Sequence, residues 1–64
     1  MNIKIERPKQ EKNMFFEGKA IDLLTILGIN PEEVLIVKNK EIITLEDELK
    51  DEDEVEILSV VSGG

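Results

Sequence analysis

The sequence predicts an α+β fold: a mixed sheet of about five strands packed on one helix. Three observations lead there. Only Lys19 to Leu27 carries a helical apolar stripe long enough to lie across a sheet. Short apolar runs of strand length surround it on both sides. The first and last of these runs lie on either side of the helix, so they can pair in parallel in mid-sheet.

The elements follow in order. Asn2-Ile3-Lys4-Ile5-Glu6 alternates with period two and puts Ile3 and Ile5 on one face, as in a half-buried strand. Pro8 ends it, because proline has no ladder donor. Met14-Phe15-Phe16-Glu17 is a second apolar run, expected to form a hairpin with the first. Gly18 opens the helix. Ala20, Leu23, Leu24 and Leu27 share its apolar face, with Ile21 on the border and Lys19, Asp22 and Thr25 opposite. Ile26 falls among the polar residues, as a boundary contact or as an exposed apolar spot; the boundary contact is favoured. Gly28 stands where a left-handed cap belongs, and Pro31 prevents continuation. Asn30-Pro31-Glu32-Glu33 reads as a single capped turn.

Val34-Leu35-Ile36-Val37 is a continuous apolar run, expected to be a central strand. Asn39-Lys40 is a tight turn and Glu41-Ile42-Ile43 a short return strand. Thr44 to Leu49 has a cap and a leucine pair four apart, which predicts one helical turn under a loop. Asp51-Glu52-Asp53-Glu54 is an acidic turn without the ligand spacing of a calcium loop, so a solvated turn is expected. In Val55 to Val61, Val55 and Ile57 alternate with Glu54 and Glu56 and face the core. The same phase turns Leu58 and Val60 outward, as a docking patch unless the strand twists away there. With no second helix, one sheet face should be packed and the other wet.

Composition excludes several function classes. The chain has 64 residues, enough for one domain, and a chain this short buries only ~60% of its unfolded surface. It has no Cys and no His, so thiolate chemistry is absent, as are the commonest general base and metal ligand. No apolar run approaches the ~20 residues that span a bilayer, and the start does not read as a signal peptide. A soluble cytoplasmic protein, monomeric alone, is expected. The net charge of −7 is uneven: five bases meet four acids through Pro31, and three bases meet eleven acids from Glu32 onward. Nucleic acid is therefore an unsuitable direct partner. The acidic half either steers a basic protein partner or keeps the chain soluble.

The chain closes on Val61-Ser62-Gly63-Gly64, directly after a strand. Two glycines make a thin, free backbone that can thread a narrow active site and present a carboxylate. The alternative is an inert, frayed end.

A strand pair, one helix and a last strand parallel to the first make the β-grasp arrangement. It is expected over residues 1–61, with 62–64 as a flexible tail. On these residues the chain resembles the ubiquitin-like sulfur carrier proteins, the ThiS/MoaD family. The resemblance rests on Leu23-Leu24 through Leu27-Gly28-Ile29-Asn30-Pro31-Glu32-Glu33-Val34, on the Val37-to-Ile43 hairpin, and on Asp53-Glu54-Val55-Glu56-Ile57 ending in Val60-Val61-Ser62-Gly63-Gly64. It spans nearly the whole chain, and the length is closer to the thiamine-type carrier than to the molybdopterin-type one. Asn39-Lys40 departs from the Asn-Gly often seen in the family, which bears on the turn type.

The resemblance implies a protein substrate, not an enzyme. A ubiquitin-activating-type adenylyltransferase, using its own ATP and magnesium, would adenylate the Gly64 carboxylate and release pyrophosphate. A persulfide donor would then displace AMP to leave a thiocarboxylate. That group would deliver sulfur to a synthase making thiamine thiazole or molybdopterin, or to a tRNA base. Ser62 and Gly63 would provide reach. Leu58, Val60 and Ile36 would form the docking patch, with the acidic turn steering. This chain would bind no cofactor itself. The rival implied by the same tail is a ubiquitin-like modifier, joined through Gly64 to target lysines.

Overall fold

The strand that closes the sequence lies in the middle of the sheet. The computed structural model describes residues 1–6 and 9–60. Pro8, Val61 and the expected tail residues Ser62, Gly63 and Gly64 lie outside the described residues, as does the expected domain boundary after residue 61. The sheet contains β1 (Asn2–Ile5), β2 (Gln10–Asn13), β4 (Val34–Lys38), β5 (Glu41–Ile43) and β7 (Glu54–Ser59). Their order is β2-β1-β7-β4-β5. The pairing of β1 with β7 is parallel, with Ile3 beside Val55 and Ile5 beside Ile57. All other pairings in this sheet are antiparallel. This is the expected mixed five-stranded sheet on one helix, the β-grasp fold.

The helix α1 spans Ala20–Leu27. Ala20, Leu23 and Leu24 are fully buried, and Leu27 packs at the margin. They meet Ile3, Ile5, Ile36, Val55 and Ile57 from the sheet. Gly28 takes the left-handed conformation at φ 72° and caps the helix, where a side chain would be strained. Asn30 then caps the 3-10 turn Pro31–Glu33 with its side-chain oxygen on the Glu32 N–H, at 3.0 Å.

Three expectations need correction. The second strand is the polar Gln10–Asn13, not Met14–Glu17. It pairs with β1 on one edge only and is exposed throughout. The apolar run beyond it serves as a plug instead: Phe16 is buried and Met14 packs beside it. Thr44 to Leu49 is not helical. It forms a turn followed by the two-residue strand β6 (Glu48–Leu49), which pairs with β3 (Gly18–Lys19). The reason is visible at the start of α1, where Lys19 supplies no side-chain cap. The Asp47 and Leu45 carbonyls accept the Ala20 and Ile21 N–H groups at 2.9 and 3.1 Å. A helical turn would have tied up carbonyls that α1 needs. Both leucines still point inward, with Leu49 buried. Finally, Ile26 is an exposed spot, 60% accessible, and not a boundary contact.

The β4–β5 turn is built by Asn39 and Lys40, both with positive φ, at 49° and 71°. That is the mirror-image two-residue hairpin turn, formed without glycine. A lysine in this conformation costs roughly 1–2 kcal/mol. Glycine there loses more freedom on folding, which offsets part of the gain. Lys40→Gly should therefore raise stability by up to about 1 kcal/mol, read as a higher urea midpoint at unchanged slope. An unchanged or lower midpoint would show that the turn carries no strain.

Candidate functional site

The single helix covers one face of the sheet, so alternate residues of the central strands must face away from it. The register shows which. Leu35 stands beside Leu58, and Val37 lies between Ile42 and Glu56. Together with Val60, these make an apolar stripe of Leu35, Val37, Ile42, Leu58 and Val60 across the outer face. Ile42 is 68% exposed and Val60 46%, while Leu58 is half-buried. The outward turn of Leu58 and Val60 is therefore as expected, and β7 keeps its phase to its end.

Ile36 does not belong to this stripe. It is 2% exposed and sits opposite Ile57 in the core. The parity of β4 settles the matter: Ile36 pairs with inward residues, and its neighbours Leu35 and Val37 take the outer positions. These two, with Ile42, are the members that the sequence reading missed. The signal was present. A continuous apolar strand over a sheet with one covered face must place every second apolar residue outside.

The root of the C-terminal segment is held on both sides. On the β4 side the Val60 N–H donates to the Glu33 carbonyl at 2.9 Å. On the β1 side the Glu6 N–H donates to the Ile57 carbonyl, and the Ser59 N–H donates to Glu6 Oε1, both at 2.9 Å. Beside this root, an open groove of about 490 Å³ is lined by Lys4, Glu6, Lys9, Glu11, Glu56 and Leu58, among others.

The acidic stretch forms a turn, as expected, and two of its carboxylates also brace the fold. Asp53 Oδ2 accepts the Lys50 N–H at 2.8 Å, and Oδ1 accepts the Asn39 side-chain amide at 3.0 Å. Asn39 in turn accepts the Glu54 N–H at 3.0 Å, so the turn is laced to the β4–β5 hairpin. Asp51 Oδ1 accepts from the Met1 amino group at 2.7 Å and from the Phe16 N–H at 3.1 Å. Both carboxylates are thus structural. Only Glu52 and Glu54 of the four are exposed. Among the described residues no acidic cluster is placed to hold a metal ion, and no helix is long and apolar enough to cross a membrane.

The model of the ThiS family matches residues 6–64. The chain belongs to the ThiS family. It is 51% identical, over 43 residues, to the sulfur carrier protein TtuB of Thermus thermophilus. That match covers 67% of this chain and 66% of the relative, just under two thirds of its length. The solution structure of a thiamine biosynthesis protein from Geobacter metallireducens superposes with a TM-score of 0.60 at 26% identity. The superposition covers all of this chain and 88% of that one. The ThiS-family fold is therefore present from the first strand to the last.

The hydrogen bonds to the Asp51 and Asp53 carboxylates predict stability that falls in acid. The hydrogen bond from the Met1 amino group, then the Phe16 N–H, holds Asp51 below its ordinary value of 3.8. The Lys50 N–H, then the Asn39 amide, does the same for Asp53, and burial opposes both shifts. A lowered folded-state pKa stabilises above the unfolded value and ceases to do so as pH falls through the folded one. The melting temperature should therefore drop as pH falls below 3.8, and Asp53→Asn should flatten that drop. A variant with the wild-type acid profile would remove Asp53 from this role.

Proposed function

We propose that this chain is a sulfur carrier: a protein substrate that carries sulfur as a thiocarboxylate on Gly64. The family match running through residue 64 carries the reading. The similarity to the sulfur carrier protein TtuB of Thermus thermophilus supports it. The fold supports it as well, because β7, the last strand before the terminal glycines in the sequence, is paired with a neighbour on each side.

The chemistry needs little from this chain beyond an accessible carboxylate. One Gly64 oxygen attacks the α-phosphorus of ATP in the partner's active site. Pyrophosphate leaves, and an acyl-adenylate forms. A persulfide's terminal sulfur displaces AMP to give an acyl disulfide, and a thiol then cleaves its S–S bond to release the thiocarboxylate. Glycines next to the carboxyl leave no side chain in the path of either attack. An adenylyltransferase of the ubiquitin-activating type supplies the ATP and magnesium sites. A persulfide donor and a sulfur-accepting synthase or tRNA-modifying enzyme complete the set of partners.

The docking surface for the adenylating partner is the outer apolar stripe, with Leu35 and Val37 of β4 between Leu58 on one side and Ile42 on the other, and Val60 just past the end of β7. Fully burying a side chain of this size gains about 1.5–3 kcal/mol, so three of them suffice to seat a transient complex. Glu54 and Glu56 on the same face favour a basic rim on the partner.

Three tests follow from this. Protein isolated from its own cells should contain a fraction heavier by the exchange of one oxygen for one sulfur, and deletion of Gly64 should abolish ATP–pyrophosphate exchange. Retained exchange after the deletion would overturn the tail chemistry, and Gly64 remnants on target lysines without any thiocarboxylate would favour the modifier. Separately, Val60→Glu should weaken binding to the adenylating enzyme about tenfold or more while changing stability by no more than about 0.5 kcal/mol. Unchanged binding would place the docking surface elsewhere.

A further inference from the structure

In a parallel ladder, a residue that donates its N–H to one partner receives the N–H of the residue two further on at its own carbonyl. Glu6 makes the first of these bonds in the regular way, from its N–H to the Ile57 carbonyl. The second is irregular. The Ser59 N–H goes to the Glu6 side-chain carboxylate and not to the Glu6 carbonyl. The main chain has left the strand at Glu6, where β1 gives way to a turn. The side chain extends the ladder by one rung beyond that point. Among the described residues no lysine stands within ion-pair distance of Glu6.

We propose that Glu6 is a positioning residue for the acyl-bearing tail: its carboxylate substitutes for a backbone carbonyl and fastens Ser59, at the root of residues 61–64. The proposal rests on the sulfur-carrier reading and assigns that reading a residue remote in sequence from Gly64. A carboxylate is a good choice for this rung, because a charge-assisted bond is about twice as strong as a neutral one. With Ser59 held by Glu6 and Val60 by the Glu33 carbonyl, the backbone is tied on both sides up to the point where the tail begins. Without the Glu6 bond, Ser59 and Val60 are held from the β4 side alone, and the freedom gained there must be given up when the carrier is seated in the partner's active site. Ordering one residue's backbone weakens binding on the order of tenfold. That cost falls on association and not on the chemical step, because the seated tail is the same in both cases.

The test is ATP–pyrophosphate exchange catalysed by the adenylating enzyme of the same genome, with the full-length carrier as the varied substrate. Glu6→Ala should raise KM for the carrier about tenfold at unchanged kcat. Glu6→Asp keeps the charge but withdraws the oxygen by one methylene, and should behave like Glu6→Ala. Glu6→Gln keeps a neutral acceptor oxygen at full reach and should recover about half of the loss. Hydrogen exchange should show the Ser59 amide opening faster in Glu6→Ala, with Val55 and Ile57 unchanged. Wild-type KM in Glu6→Ala, a Glu6→Gln variant as impaired as Glu6→Ala, or an unaltered Ser59 amide would each overturn the proposal. Failure of the wild-type carrier itself to support exchange would overturn the sulfur-carrier reading, and that result is distinguishable because it precedes any substitution.

Discussion

The structure depends on the parallel pairing of β1 with β7 in the middle of the sheet. Parallel pairs cannot be closed by a tight turn, so everything between the two strands serves as their connection. That connection holds the one helix, which must lie across the face it leaves and return. Ile3, Ile5, Val55 and Ile57 meet Leu23 and Leu24 there, and all six are buried. The same pairing gives β7 a hydrogen-bonded neighbour on each side, β1 and β4. The residues that follow β7 in the sequence are thus preceded by a strand paired on both sides.

One helix also means one covered face. The outer face carries its apolar residues uncovered: among the described residues nothing folds over them. On a packed sheet, Leu35, Val37 and Leu58 would be core. Here they lie with Ile42 and Val60 on the open face, and the stripe reaches the end of β7. Small size and an unpaired apolar face go together: a chain of 64 residues cannot supply a second layer.

Most of this architecture was legible in the sequence. The alternation at Ile3–Ile5 and Val55–Ile57, the helical stripe of Ala20, Leu23 and Leu24, and the Gly28 cap each gave their element directly. Local pattern failed where long-range hydrogen bonds overrode it. Met14 to Glu17 looked more strand-like than Gln10 to Asn13, but an edge strand needs no apolar face, and Phe16 was needed as a plug. The Thr44 turn carried helical signals, yet its carbonyls were required by the uncapped N-terminus of α1. For the candidate site, Leu58 and Val60 followed from the phase of one strand. Ile36 was misplaced because a continuous apolar run conceals its own parity; the pairing with Ile57 was needed to resolve it. Glu6 was out of reach of any motif, because its role exists only once Ser59 lies beside it, 53 residues away.

Asp51 and Asp53 show how charge can mislead in the same way. Read as a run, Asp51 to Glu54 is a patch of negative potential. Seen in place, its two aspartates tie together the first residue, the Phe16 plug and the β4–β5 hairpin, and the outward glutamates alone are free to act at a distance.

Native-state hydrogen exchange across the sheet, followed through low concentrations of denaturant, tests the central role of β7 most directly. The amides of Val55, Ile57 and Leu58 should exchange only through global unfolding, together with those of Ile3 and Ile5, while β2 and β5 open earlier. Exchange in β7 through local opening, at or before the edge strands, would contradict the claim that the tail is rooted in the most stable part of the fold.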